Sequence, residues 1–588
     1  MATRPPTFRF GEFTLDAAEH RLLRDSVEVT LRPKAFDTLH CLVVRHGHTV
    51  RKEELFQAVW AGTFVSDAVL THCIAEIRQA LRDDARAPVF VRTLPKLGYS
   101  FVAPVECDGG SPPSRSPFGP FLRSVPENPP SSAIAVLPFA NLSNDPENEY
   151  FCDGLSEELI NGLAKLPALR VVAHSSSFFF KGRDMDAREI GRQLGVGSVL
   201  EGSVRKSGHR LRISAQLIDT AAGFHLWCEQ YDRTLDDVFA LQDEISRSVL
   251  ATLKIEMFKG GARPVARASA SSTEAYLHYL EGRFRWHRRF AGQLQQAMVC
   301  FERAIGTDPA FAPAYCGLAD CFSSLGIWAF APATQTFPRA ASLAGQALAL
   351  DPALAEAHTS MACVRMFHDW DWPAAESELA RALELNPGAA ITHLMAGHLL
   401  SIVGRFEEAI AEVLHAQALD PLSPVVNTNV GWTFHLAGRQ DRAVEELRSV
   451  LARFPENPLA HFYLGYAFAA LGRLDDALAS LRLASECPGG MPFAAESVGW
   501  VLALAGRRDE AKDVLSAALA SAAASYVPSS AIALIHLGLG DDDALFEWLD
   551  RCVEERDAML PWLKFMPCFA RVRSVSRFQA VLARMGLE

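Results

Sequence analysis

The sequence predicts a multidomain α+β protein, and three observations carry that reading. In the first hundred residues, short alternating runs lead into three amphipathic helical stretches and a hairpin. Between residues 133 and 260, strand-like and helix-like runs alternate. Beyond residue 273, small residues recur every 34 positions in helical sequence. A chain of 588 residues, 49% hydrophobic and 21% charged, is globular but too long for one core.

The first hundred residues begin with "FRFGEFTLD", "HRLLRD" and "VEVTL", which read as small antiparallel strands. Pro33 opens a helix, where its missing N–H has no partner to lose, and Ala35, Leu39, Leu42 and Val43 form its apolar stripe. Gly47 ends it. Thr49 is expected to cap a second helix, "VRKEELFQAVW", with Glu53 near the capping-box position. In the third, "DAVLTHCIAEIRQALRDD", Leu70, Ile74, Ile77 and Leu81 share one face. Thr71, His72, Ala75, Glu76, Arg78 and Gln79 lie on the other faces. The hairpin "FVRTLPKLGYSFVAPV" follows. Three helices and a hairpin make a winged helix-turn-helix, whose last helix suits the DNA major groove.

The runs "LRPKAFDTLHCLV", "AVW", "VSDAVLTHCIAEIRQAL" and "TLPKLGYSF" resemble the OmpR/PhoB-type winged helix, in its CadC-like branch, over Phe8–Pro104. The resemblance implies a four-stranded sheet before the helices and a DNA-binding set. Thr71, His72, Ala75 and Glu76 would face base edges, with Gln79 beside them. Arg78 and Trp60 would meet phosphate, and Thr93 and Lys96 would sit on the wing. Trp60 serves equally well as core, and Arg78 as an intramolecular ion pair. Glu76 stands where relatives often carry Arg, and Ala75 offers only a methyl-sized contact, so two heads are expected to pair on DNA. The chain starts at the winged helix, so control through a phosphorylated receiver is not expected.

Met1–Val105 holds 14 Lys and Arg against 12 Asp and Glu, so the acidic excess of a chain with net charge −12 lies beyond it. A near-neutral head on an acidic body suits a nucleic-acid contact on a soluble bulk. Residues 106–132, rich in Pro, Gly and Ser, read as a flexible linker. Residues 133–260 predict a small α/β sandwich: strands at "AIAVLPF", "LRVVA", "SVLEGSVRKSGHRLRISAQLID" and "GFHLWCEQYDR", helices at "YFCDGLSEELINGLAKL", "DAREIGRQLG" and "DVFALQDEISRSVLATL". "AVLPFANLS", "FCDGLSEELINGL" and "LGVGSVLEGSVRKSG" resemble the TolB-N-like (FlgO-like) domain, whose biochemical role is poorly defined. "GVGSVLEG" is not GxGxxG and "DGLSEEL" is not GxSxG. Glu157 and Glu158 read as helix N-terminal charge. No enzyme activity, cofactor or metal is expected.

Residues 273–588 predict an all-α solenoid with a closing cap from Asp541. Gly397, Gly431, Gly465 and Gly499 are 34 residues apart, as are Gly404, Gly438, Gly472 and Gly506, and Ala409, Ala443, Ala477 and Ala511. This is the tetratricopeptide (TPR) period, with prolines ending successive second helices. Seven to eight units fit, with "WAFAPATQTFPRA" as an insertion in the first. Such arrays bind peptides or proteins on their concave face. His398, Trp432, Tyr466 and Trp500 follow the small glycines and form a candidate aromatic ladder for a partner; the other reading packs these rings between neighbouring helices.

Twelve cysteines with no CxxC pair read as reduced, buried thiols. No signal peptide and no membrane-length apolar run is present, so the expected place is the cytoplasm. The sequence thus predicts a one-component transcription regulator that binds double-stranded DNA, with RNA polymerase as a further contact. Its TPR array would sense a protein or peptide. The alternative is a TPR scaffold whose winged helix contacts protein rather than DNA.

Overall fold

The structure, a computed structural model, describes residues 7–16, 21–24, 27–29, 31–44, 49–52, 55, 59, 67–84, 88–94, 98–103, 106–108, 133–143, 145, 148–253, 272–287, 291–487, 491 and 493–588. The chain forms two compact units, Met1–Ser116 and Pro117–Glu588.

In the first unit, β1 (Thr7–Phe10), β2 (Phe13–Asp16), β3 (Arg21–Arg24) and β4 (Val27–Val29) form an antiparallel meander. Helix α1 spans Pro33–Val44 and α2 spans Asp67–Leu81. Strands β5 (Thr49–Arg51), β6 (Val91–Leu94) and β7 (Gly98–Phe101) make a second sheet in the order β5-β7-β6. Two details differ from the sequence reading. Thr49, expected at the cap of the second helix, lies in β5 opposite Ser100, and most of that expected helix lies outside the described residues. Past Val105, β8 (Glu106–Asp108) pairs with β1 and gives the first sheet a fifth strand. One core joins both sheets to the helices through Phe10, Phe13, Leu39, Ile74, Val91 and Phe101.

The second unit begins with a mixed sheet in the order β11-β9-β12-β13-β14, with β10 (Ala140–Asn141) on β12. Its strands are β9 (Ala133–Val136), β11 (Arg170–Val171), β12 (Ser198–Ser207), β13 (Arg210–Asp219) and β14 (His225–Thr234). Helices α3 (Glu149–Ala164), α5 (Ala187–Leu194) and α6 (Val238–Thr252) fall where the sequence places them. The short α4 (His174–Phe178) was not foreseen.

Eight helix pairs follow among the described residues. They are α7 (Thr273–Trp286) with α8 (Ala291–Thr307), α9 (Ala312–Ile327) with α10 (Ala333–Leu350), and α11 (Ala355–Val364) with α12 (Trp372–Leu385). Next come α13 (Ala390–Ile402) with α14 (Phe406–Leu419), and α15 (Pro424–Leu436) with α16 (Gln440–Arg453). The last are α17 (Pro458–Ala470) with α18 (Leu474–Glu486), α19 (Ala494–Leu504) with α20 (Arg508–Ala522), and α21 (Ser529–Leu539) with α22 (Asp542–Glu555).

The periodic residues explain this packing. Ala409, Ala443, Ala477 and Ala511 are fully buried. At Gly431 a Cβ would come within 2.6 Å of Leu447, so only glycine lets α15 and α16 approach so closely. Gly438 takes φ +75°, the left-handed turn that ends α15 and starts α16. Gly540 repeats that turn at φ +73°, so the 34-residue period continues past Asp541 and the closing segment is 556–588, with α23 at Ser576–Ala583. Of the expected insertion, residues 328–332 form the turn after α9 and 333–340 lie in the first half of α10.

Candidate functional site

Helix α2 shows a clean division of faces. Leu70, Ile74, Ile77 and Leu81 are buried, while Thr71, His72, Ala75 and Gln79 are exposed. Glu76 is put to a different use from the one expected at a base edge. Its Oε1 accepts the backbone N–H of Arg32 at 2.9 Å, and its Oε2 lies 3.4 Å from Arg32 Nε. The acid is answered within the fold, at the entry to α1. Arg78, expected at phosphate, turns toward the wing: Nη2 donates to the Val91 carbonyl at 2.7 Å and to Thr93 Oγ1 at 2.7 Å. It fixes β6 against α2, and Thr93, exposed on that strand, accepts from it.

Asp83 completes this joint and was missed. Its carboxylate accepts the backbone N–H groups of Val89, Phe90 and Val91 at 2.7, 3.2 and 2.7 Å. Trp60 and Lys96 lie outside the described residues.

Of the two readings of the aromatic ladder, burial agrees with packed rings and not with an open partner-binding ladder. His398, Trp432, Tyr466 and Trp500 are 7%, 2%, 1% and 3% exposed, so none stands open in a groove. Trp432 stacks on Tyr463 at 4.3 Å, Tyr466 lies 5.0 Å from Trp500, and the Tyr466 hydroxyl meets Ser497 Oγ at 3.1 Å. The closing segment then covers them: Trp562 sets its edge against His398 at 5.1 Å and Trp432 at 6.2 Å. Rings this large bury more favourably than they stay wet, and the segment supplies the cover.

The α/β domain is seated on the repeat array through the turns between repeats. Ser176 donates its N–H and hydroxyl to Asp420 Oδ1 at 2.8 and 2.6 Å and accepts the Leu422 N–H at 2.7 Å. Arg170 donates to the Ala418 carbonyl at 2.9 Å. At the other end, Glu157 is buried mid-helix rather than charging a helix start. Its Oε1 accepts from Arg283 Nη2 at 2.8 Å and lies 3.0 Å from His287 Nε2. Burial alone would push this carboxyl up, but Arg283 and His287 hold it well below the usual carboxylate range.

Glu157, His174 and His287 together present a three-ligand cluster. A metal fits it poorly. Arg283 already supplies the cation to Glu157, and the two imidazoles stack nearly parallel at 3.6 Å, so their in-plane lone pairs run side by side instead of converging.

Between the α/β domain, the array and the closing segment lies a cavity of about 390 Å³, lined among others by Glu157, Arg283, Trp286, His398, Trp432 and Trp562. Asn429 Nδ2 donates to the Val425 carbonyl at 2.9 Å, which leaves Oδ1 to accept from His398 Nε2 at 3.1 Å. His398 Nδ1 is then a lone-pair acceptor, and burial pushes this imidazole down to about 4, so it is neutral at pH 7.

Residues 26–101 match the family described as "Transcriptional regulatory protein, C terminal", and residues 437–490 match "Tetratricopeptide repeat". Residues 26–101 form a DNA-binding domain of the OmpR/PhoB type. The chain is 24% identical to "Transcriptional regulator HilA" of Salmonella typhimurium over 411 residues, 69% of each chain. It is 33% identical to "Transcriptional activator CadC" of Escherichia coli over 101 residues, 17% of this chain and 20% of that one. It is 39% identical to "Putative adenylate cyclase 3" of Rhizobium meliloti over 206 residues, 35% of each chain. It therefore spans about a third of the length of that cyclase.

In the OmpR/PhoB-type domain, sequence reasoning found the exposed face of α2 but not the devices that aim it. Arg32, Arg78 and Asp83 make hydrogen bonds that no helical period announces. At the joint between the α/β domain and the TPR array, Ser176, Arg283 and His287 went unnoticed because their partners lie 244, 126 and 130 residues away in the chain. Among the described residues no helix is long and apolar enough to cross a membrane.

Proposed function

We propose that the chain is a cytoplasmic, one-component transcription regulator that acts by sequence-selective binding of double-stranded DNA. The observation that carries this is the match of residues 26–101 to the transcriptional regulator family, on a helix whose Thr71, His72, Ala75 and Gln79 are solvent-exposed. Helix α2 enters the major groove, and Thr93 and Lys96 serve the adjacent wing. HilA and CadC, named as regulators, support the same reading. Two heads pair on DNA, and RNA polymerase is a further contact. The α/β domain and TPR array receive the signal, which includes a protein partner. The chain works by binding and not by catalysis.

The reading of the winged helix as a protein-contact module loses one of its supports, since Arg32 meets the Glu76 carboxylate.

The test is binding of the full chain to fragments recovered by genome-wide occupancy mapping. His72→Ala is expected to relax base preference at one position, and Lys96→Ala to lower both affinity and the salt slope. Absence of DNA binding at low salt would overturn the proposal.

A further inference from the structure

The cavity inside the second unit has a chemistry that its role as a packing joint does not use. Its volume of about 390 Å³ is that of a small-molecule site, and its wall combines the α/β domain, the TPR array and the closing segment. Histidines aside, seven carboxylates and two cations line it.

Most of that charge is accounted for. Asp420 and Asp557 are buried and accept from backbone and serine donors. Arg283 is answered by Glu157 at 2.8 Å and Asp320 at 3.7 Å. Asp351 accepts the Ala353 N–H at 2.9 Å, Glu158 and Lys165 add one charge of each sign, and Glu356 stands apart: its Oε2 is buried with no hydrogen-bond partner. Three further buried groups on the same wall lack partners, namely Ser323 Oγ, His398 Nδ1 and Trp432 Nε1, on residues 5%, 7% and 2% exposed. Buried polar groups are normally satisfied, so a cluster of orphans around one cavity marks a site that a guest completes.

The orphans also define the guest. Glu356 Oε2 and His398 Nδ1 are acceptors and call for N–H donors, while Trp432 Nε1 is a donor and Ser323 Oγ can be either. The apolar part of the wall is aromatic: Trp286 already carries the Arg283 guanidinium over its face at 4.6 Å, Trp432 and Tyr463 stack on each other, and Tyr279 and Trp562 add further rings of a kind whose faces attract cations. The carboxylate excess rejects an anion. We propose that this cavity binds a small organic cation, an ammonium or guanidinium head on an apolar body. Because its wall joins three parts of the unit, the bound cation clamps the α/β domain and the closing segment onto the array. The proposal extends the reading of this unit as the sensing part, while its test does not involve DNA.

The full chain is titrated by calorimetry with phenethylamine, benzamidine and benzyltrimethylammonium, and with the isosteres 2-phenylethanol and phenylacetate. At least one cation is expected to bind one-to-one, about tenfold more tightly than either isostere. Glu356→Gln is expected to weaken that cation about fivefold and leave 2-phenylethanol unchanged, with the near-UV circular dichroism of the wild type retained. If Glu356→Gln fails to fold, the isostere comparison on the wild-type chain decides alone. Equal binding of cation and alcohol, preference for phenylacetate, or no saturation by any cation below about 10 mM would each overturn the proposal. So would an unchanged cation affinity in a folded Glu356→Gln chain. Cation binding without DNA binding would sink the regulator reading and leave this one standing, and the reverse result would do the opposite.

Discussion

Arg283→Met tests whether the joint between the α/β domain and the TPR array is electrostatically held. In the wild type the Arg283 side chain is 16% exposed and Glu157 only 7%, with two hydrogen bonds to Glu157 Oε1 at 2.8 and 3.0 Å. Deleting one partner of a buried ion pair strands the other and costs about 3–5 kcal/mol. His287, 3.0 Å from the same oxygen, meets part of the stranded charge, which favours the lower end, about 3 kcal/mol. Hydrogen exchange on the full chain reads this locally: amides of α3 and α7 are expected to lose roughly a hundredfold in protection. The double variant Glu157→Gln/Arg283→Met removes the more deeply buried of the two charges that Arg283 meets, leaving Asp320 at 23% exposure, and is expected to recover most of the loss. Protection in Arg283→Met within about threefold of the wild type would refute the reasoning, as would a double variant no better than the single one.

Three other predictions address different parts of the chain. Burial pushes His398 and His435 down to about 4, whereas an unfolded histidine takes its proton near 6.5, so the unfolded state binds more protons between these values. The array should therefore lose stability as pH falls from 7 to 5, by about 2 kcal/mol per histidine, and a urea midpoint flat over that range would contradict this. Gly431→Val drives a side chain into Leu447 and should cost about 3 kcal/mol, against about 1–2 kcal/mol for Gly438→Ala, whose left-handed turn has open space; equal losses on thermal unfolding would argue against the close-approach account. Arg78→Ala should lower DNA affinity by loosening the wing, at about 1–3 kcal/mol of domain stability, while leaving the salt slope of binding intact. A slope reduced by about one would instead mark Arg78 as a phosphate contact.

Much of the fold was legible because its determinants are local and periodic. The spacing of Leu70, Ile74, Ile77 and Leu81 is enough to name the buried side of α2, and the Gly and Ala period is enough to set the helix pairs. The ladder shows where periodicity stops. The spacing of His398, Trp432, Tyr466 and Trp500 groups them on successive first helices, but spacing does not say what covers a face. The cover is Trp562, 130 residues beyond Trp432 in the chain, and nothing in the repeat announces it. Glu157 fails for the same reason: its burial depends on Arg283, far along the chain. At α2 the exposed set was legible, yet the use of Glu76 was not, since Arg32 comes from the entry to another helix.

Trp372 Nε1 donates to the carbonyl of Met585 at 2.9 Å, across 213 residues of chain. An open solenoid frays from its ends, each repeat leaning only on its neighbours. Here a late residue latches onto an early repeat, which turns the spring into a ring. Residues 372 and 585 are therefore expected to loosen together. A nascent array keeps the rings of His398 and Trp432 uncovered until Trp562 has been added.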